Sequence, residues 1–185
     1  MDISPDDAAQ ALSDIASARG RSRVLAGYSV AGPILVIWGI IWLAAYTAMG
    51  ILPAVQWGLV WVPGDAIGIV ATILLSRRAN RQAGIKGTTW RLLGLMALVV
   101  VFSAGLFAMV RTSDINVYFA FPGLLTGTIY TALGLWRMTR YLWVGIAVIA
   151  ASLIGFFAFA AILPYWMAVV VGGGLIVSGL LFRRP

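Results

Sequence analysis

VLAGYSVAGPILVIWGIIWLAAY, residues 24–46, is the stretch that decides the fold of this chain. It contains no charged residue. A helix rises about 1.5 Å per residue, so about 20 apolar residues cross the hydrocarbon core of a bilayer, which is about 30 Å thick. The stretch therefore predicts a transmembrane helix.

The rest of the chain repeats this pattern five times. The predicted spans are residues 24–46, 54–76, 92–110, 117–136, 141–162 and 165–182. Composition agrees, because 62% of the 185 residues are hydrophobic and 10% are charged, against roughly 25% charged in a soluble domain. So much apolar surface would cover the exterior of a small fold, where lipid tolerates it and water does not.

Loop length and charge predict how the spans are arranged. The connections 47–53, 111–116 and 163–164 are short, which forces neighbouring helices into antiparallel hairpins. All of the 13 lysine and arginine residues except Arg111 would then lie on the opposite face. Because cationic loops resist translocation, that face is predicted to be cytoplasmic, with both termini inside.

The predicted fold is thus an all-α integral membrane protein with six transmembrane helices in three antiparallel hairpins. Residues 1–23 are predicted to form a cytoplasmic segment with a short amphipathic helix, on which Ala8, Leu12, Ile15 and Arg19 share one face. Residues 24–185 form the transmembrane domain. The expected location is the inner (plasma) membrane of a bacterium.

Composition also removes several classes of function. The chain has no cysteine and no histidine, which excludes thiolate nucleophiles, imidazole bases and the commonest ligands of zinc and haem iron. We predict no catalytic set, metal site or cofactor. The net charge of +7 indicates topology rather than nucleic-acid binding. The expected partners are the bilayer, anionic lipids at the basic loops, a second copy in a homodimer, or a cytoplasmic protein.

A motif of small residues occurs in the second and fourth spans. Its two copies are Pro63, Gly64, Gly68 and Thr72, and Pro122, Gly123, Gly127 and Thr131. Glycine at every fourth position lets another helix approach closely, so we predict that both ridges pack helices. The identical spacing suggests a duplicated hairpin. Pro33, Pro63 and Pro122 are predicted to kink their helices.

Asp65 is the one ionisable residue clearly inside a predicted span. Such a residue costs about 2.5 to 3.5 kcal/mol at a helix centre on insertion scales, and it tends to face a cavity or a partner. One hypothesis makes Asp65 a proton or cation acceptor, with a polar route along Thr72, Thr126, Thr128 and Tyr130. The other makes it structural, as a cap of a helix broken after Pro63 and Gly64, or as an acceptor from a neighbouring helix.

AGPILVIWGIIW, residues 31–42, follows an amphipathic start that carries arginines. In these features the chain resembles small uncharacterised bacterial six-helix inner-membrane proteins, often encoded beside helix-turn-helix regulators. The resemblance covers mainly the first two spans and implies a membrane protein in a regulated operon, with no site residue.

Three functions are compatible with these residues. The first is a small transporter or channel with Asp65 in its path. The second is a membrane sensor or scaffold that binds a cytoplasmic partner, and the third is a lipid-handling membrane enzyme. The transporter predicts a polar cavity at Asp65, and the sensor or scaffold predicts a closed bundle with an exposed apolar strip on the cytoplasmic side. The enzyme predicts a lateral groove that joins lipid to several polar groups.

Overall fold

A computed structural model of the chain describes residues 5–82, 88–110, 113–136 and 139–182, and within these ranges the backbone is helical and contains no strand. The helices are α1 (Pro5–Ile51), α2 (Trp57–Gln82), α3 (Thr88–Val110), α4 (Ile115–Trp136), α5 (Thr139–Ala158), α6 (Leu163–Trp166) and α7 (Gly173–Leu181). A π-helical stretch, Met167–Gly172, joins α6 to α7. We call the whole of Ala160–Leu181 the final segment.

Five helical segments of the described chain are long and apolar enough to cross a bilayer. They are Gly27–Ile51, Ala54–Arg81, Ile115–Leu135, Thr139–Ala158 and Ala160–Leu181. The all-helical class is confirmed, and these segments are consistent with a multi-pass membrane protein. The predicted span at 92–110 lies in α3, whose apolar part is the shorter stretch Gly94–Phe107.

The N-terminal segment differs from the predicted short helix. α1 runs without interruption from Pro5 to Ile51, so the amphipathic start and the first span form one rod about 70 Å long. No proline separates the two parts, because Pro33 already lies inside the apolar stretch. The junction between the two parts therefore lacks a proline that would end one helix and begin another.

The core lies where α1 packs against the final segment. Its fully buried side chains include Leu35 and Tyr46 from α1 and Leu163, Met167 and Leu175 from the final segment. The two helices approach closely and run antiparallel. A Cβ atom on Gly39 would lie 2.7 Å from the Gly172 carbonyl oxygen, and one on Gly179 would lie 2.6 Å from the Gly32 carbonyl oxygen.

A second close pair is formed by α4 and α5. A Cβ atom on Gly127 would lie 2.9 Å from the Gly145 carbonyl oxygen, and Gly134 lies against the backbone of Leu142. By contrast, α3 meets α4 through aromatic rings, with Phe107 lying 4.9 Å from both Tyr118 and Phe121 between ring centroids. The extensive α1–final segment and α4–α5 interfaces do not coincide with the three predicted hairpins, of which α1–α2 is well packed.

The two ends of the helical bundle are distinguished by their contacts. At the Trp57 end, the Trp57 indole N–H donates to the Leu52 carbonyl and the Tyr165 hydroxyl donates to the Gly50 carbonyl. At the Arg140 end, rings of Tyr28, Tyr141 and Phe182 lie together, and the Arg140 guanidinium carbon lies 5.0 Å from the centre of the Tyr28 ring.

The close approach of α1 and the final segment gives a first prediction. Gly39→Leu should lower the free energy of unfolding by about 1 to 3 kcal/mol, because the added side chain overpacks the interface. Thermal unfolding of the purified protein in detergent measures the change. Gly173→Leu is the matched control, since a Cβ atom at Gly173 would have no side chain and no other helix within 4 Å; equal loss in both variants would contradict the interface.

Candidate functional site

Asp65 lies within α2, eight residues after its first residue, Trp57. This distance corresponds to about 12 Å along the helix axis, and Arg77 lies about 18 Å further toward the other end. α2 continues unbroken through Pro63 and Gly64 to Gln82. Asp65 is therefore not the cap of a broken helix, and this part of the structural hypothesis is wrong.

One side of α2 faces α1. A Cβ atom on Gly64 would lie 3.0 Å from Ile41 and one on Gly68 would lie 2.8 Å from the ring of Trp38. One turn toward the Trp57 end, the Trp61 ring lies 5.4 Å from the Tyr46 ring. Asp65 occupies the border of this face, where it is half-buried, whereas the next residues, Ala66 and Ile67, are exposed.

The Asp65 carboxylate is not used by the fold. Within the described ranges, no residue donates a hydrogen bond to it and no cation pairs with it. Nor do the described side chains include a fully buried polar atom that lacks a hydrogen-bond partner, so the carboxylate reaches the surface. A neighbouring helix that satisfies Asp65, the other structural hypothesis, is not found among the described residues.

The predicted hydroxyl route does not form next to Asp65. Thr72 donates to the Gly68 carbonyl at 2.7 Å, and Thr128 donates to the Leu124 carbonyl at 2.8 Å. A threonine in a helix readily makes this bond to the preceding turn, which occupies its proton. Thr126 is half-buried and Thr128 is exposed on α4. Tyr130 lies against Tyr141 in the aromatic cluster of the Arg140 end, with 5.2 Å between ring centroids.

Thr72 has a structural partner that the sequence did not reveal. Its hydroxyl accepts a hydrogen bond from the Trp38 indole N–H at 3.0 Å, and Thr72 is buried. The bond joins α1 to α2 one turn below Gly68. Thr72 thus closes the interface between two helices, and its hydroxyl has one donor and one acceptor contact already.

The copy of the motif in α4 has a different environment. Thr131 donates to the Gly127 carbonyl at 2.8 Å, as Thr72 does to Gly68. A Cβ atom on Gly127 would meet Ile149 of α5 at 2.7 Å. In a duplicated hairpin, the partner of α4 equivalent to α1 would be α3, but this ridge packs on α5. The local conformation is shared and the packing is not, so duplication stays a prediction.

An aromatic cluster lies between Asp65 and the Trp57 end. It contains Trp42, Tyr46, Trp57, Trp61 and Phe119, taken from α1, α2 and α4. The Tyr46 hydroxyl donates to the Phe119 carbonyl at 2.8 Å, and the Trp61 indole N–H contacts the Met49 sulfur at 2.8 Å. The rings meet mostly edge to face, which is a favourable arrangement. The cluster thereby fixes three helices around the position one turn above Asp65.

Two shallow depressions occur on the described surface. One, of about 380 Å³, lies at the Trp57 end and is lined by Ala54, Trp57, Ser113, Ile115 and Tyr118. The other, of about 410 Å³, follows the outward face of α2 and is lined by Ala66, Ile67, Val70, Ala71 and Leu74. The second has only apolar side chains and offers no groups for lipid chemistry. Asp65 lines neither depression.

The described cations lie far from Asp65. Arg77, Arg78 and Arg81 are exposed near the end of α2, and Arg140 is half-buried at the start of α5. Lys86, Arg111, Arg137, Arg183 and Arg184 lie outside the described residues, as do the side chains of Arg19, Arg21, Arg23 and Arg91.

Comparison with protein families, with characterised proteins and with solved structures finds no match to this chain. The resemblance to small bacterial inner-membrane proteins therefore stays a hypothesis.

The Trp38–Thr72 bond gives a second prediction. Thr72→Val keeps the shape of the side chain but leaves the Trp38 N–H without its acceptor, so we expect a loss of about 1 to 3 kcal/mol in unfolding free energy. Thr128→Val is the control, because the Thr128 hydroxyl bonds only its own helix. Chemical or thermal unfolding in detergent should separate the two variants; indistinguishable stabilities would argue against the interhelical bond.

Proposed function

We propose that the protein is a small multi-pass membrane transporter in which the Asp65 carboxylate accepts the transported proton or cation. The single observation that carries this proposal is a carboxylate inside an apolar helix that no described residue uses for folding. A charged group at that depth is costly in lipid, and such residues commonly mark ion or substrate pathways. Because Asp65 makes no contact that stabilises the described fold, its unfavourable position indicates a functional role.

The position of Asp65 supports this role. It lies in the candidate span Ala54–Arg81, with exposed apolar residues such as Val62 and Ile67 on the outward side of the helix. Its half-buried position at the α1–α2 border leaves it accessible while the helix backbone around it is packed. A ligand could therefore reach the carboxylate without the fold being lost.

The proposed membrane arrangement has six spans. α3, with 23 residues, has the length to supply the sixth. The arginines at the end of α2 and the start of α5 fit a cytoplasmic Arg140 end, since positive loops resist translocation. The Trp57 end then faces outward. A homodimer is compatible with this arrangement, and anionic lipids would meet the exposed arginines.

Transport is tested by a flux measurement. The full chain in proteoliposomes should carry protons or monovalent cations, followed with an internal pH dye and ion-sensitive dyes. Asp65→Asn should reduce the flux at least about tenfold, because it removes the charge that the proposal requires while preserving side-chain shape.

The control is Asp114, a carboxylate that lies in the connection before α4 and not inside a candidate span. Asp114→Asn should leave the flux unchanged within about twofold. Thermal unfolding verifies that both variants fold. Flux that persists in folded Asp65→Asn, or wild-type protein that carries none of these ions or the cations considered below, would rule out this transport role.

Topology can be tested with single cysteines, because the chain has none of its own. Leu12 and Ser113 are exposed and lie in α1 and in the connection before α4. Leu12→Cys should react with a membrane-impermeant maleimide only from the cytoplasmic side, and Ser113→Cys only from the opposite side. Labelling of both from the same side would refute the proposed arrangement.

A membrane sensor or scaffold is the second candidate, and α1 is the observation that favours it. Residues 5–26 extend the helix by about 33 Å beyond the candidate span, and Leu12 in this extension is 68% exposed. A rigid rod could transmit a displacement of the bundle to a cytoplasmic protein. This candidate predicts no Asp65-dependent flux, so the same proteoliposome experiment separates the two functions.

A further inference from the structure

We infer that the transported cation is organic, monovalent and largely apolar, and that it is received between α2 and α4 at the Trp57 end before it reaches Asp65. This inference rests on the proposed function, because it names the substrate class of the same carboxylate. The observations behind it are the aromatic cluster, the depression beside it and the lack of oxygen ligands around Asp65.

Three side chains form a track along α2. Trp57, Trp61 and Asp65 are spaced by four residues, and residues four apart share one side of a helix about 6 Å apart along its axis. Trp57 meets Phe119 of α4 and Trp61 meets Tyr46 of α1. The Tyr46 hydroxyl donates to the Phe119 carbonyl, so both indoles border the place where α1 and α4 meet. A ligand that moves along this side of α2 passes two indole rings before it meets the carboxylate.

The track begins at an open depression. Trp57 of α2 and Tyr118 of α4 both line it. Its volume of about 380 Å³ falls in the lower part of the usual range for small-molecule sites. The surrounding surface is almost wholly apolar, so it would favour a ligand with an apolar body.

The charge of the ligand follows from the rings and the carboxylate together. A cation is attracted to the faces of tryptophan and tyrosine rings, and Asp65 supplies an opposite charge deeper in the membrane. An anion would be repelled by both features. A neutral apolar molecule would gain nothing from Asp65 and would not explain its cost.

The same surroundings disfavour an inorganic cation. Ions such as Ca²⁺ and Mg²⁺ need about six oxygen ligands or retained water. Among the described residues, no three histidine, cysteine, aspartate or glutamate side chains lie close enough together to hold a metal ion. The Thr72 hydroxyl already contacts Trp38 and Gly68. An organic cation needs no such shell, because aromatic and aliphatic surfaces replace its weakly held water.

The described state is closed between the depression and Asp65. The rings of Trp42, Tyr46 and Trp61 lie 5.4 to 6.2 Å apart between centroids, and they fill the space one turn above the carboxylate. Passage from the depression along this track therefore requires these rings to separate, although the carboxylate itself already reaches the surface beside exposed Ala66. Trp61 is held by contacts to α1, so movement of α2 relative to α1 would open the track.

The test measures binding of tetraphenylphosphonium to the purified full chain by equilibrium dialysis in detergent. Tetraphenylborate, which has nearly the same shape and the opposite charge, is the control ligand. The wild type should bind the cation saturably and should not bind the anion. Asp65→Asn should weaken cation binding at least about 30-fold, as expected when one member of a desolvated charge pair is removed.

Variants of the aromatic track separate recognition from folding. Trp57→Leu should weaken binding about 2- to 30-fold through loss of the cation–π contact, and Trp57→Phe should retain most of the affinity. Trp143→Leu is the matched control, because Trp143 is 68% exposed and lies near the opposite end of the bundle. Thermal unfolding confirms that each variant is folded.

Each outcome decides between the two proposals. Equal binding of the cation and the anion, or unchanged cation binding in folded Asp65→Asn, overturns the organic-cation inference. Asp65-dependent flux of protons or sodium without Asp65-dependent binding of tetraphenylphosphonium keeps the transport role and rejects this substrate class. Asp65-dependent binding without flux of the bound cation or of any inorganic ion supports the binding site and rejects transport.

Discussion

The arrangement of the helices depends on the contact between the backbones of α1 and the final segment. Gly32 faces Gly179 and Gly39 faces Gly172, so both helices carry glycine at a spacing of seven residues. Helices surrounded by lipid gain little from burying apolar surface, and close backbone packing takes over that role. A Cβ atom on Gly39, Gly172 or Gly179 would lie within about 3 Å of atoms of the facing helix, so a side chain there would push the helices apart. The core residues Leu35, Tyr46, Met167 and Leu175 could not then meet.

The remaining helices are arranged around this pair. α2 is joined to α1 by Gly64, Gly68 and the Trp38–Thr72 bond, whereas α4 and α5 form their own close pair through Gly127 and Gly145. The Tyr46 hydroxyl, which donates to the Phe119 carbonyl, ties α4 to the centre of the bundle. This architecture satisfies the buried polar side chains of the described chain. Asp65 stands apart because the fold leaves its carboxylate without a partner.

That contrast links the fold to the proposed function. The hydroxyl groups that could have formed a hydrophilic route are closed on their own helices or on Trp38. What lies beside Asp65 instead is an aromatic cluster with an apolar depression at its edge. A carboxylate approached through rings suits a ligand that carries charge on an apolar body. The aromatic rings and the apolar depression near Asp65 are thus what favour an organic cation over other ligands of a carboxylate.

The sequence by itself determined the helical class, most helix positions and the unusual status of Asp65, because long apolar runs and a single charged residue inside one of them can be read along the chain. Tertiary structure decided which helices touch. Glycines spaced by seven in residues 32–39 and 172–179 were a signal for the central pair, yet other glycines of the same final segment, Gly173 and Gly174, face open space. The partner of Thr72 and the continuity of α1 were also decided by structure. Periodicity along one helix specifies a packing face, but which of several similar apolar helices covers that face depends on side-chain shapes that meet only in three dimensions.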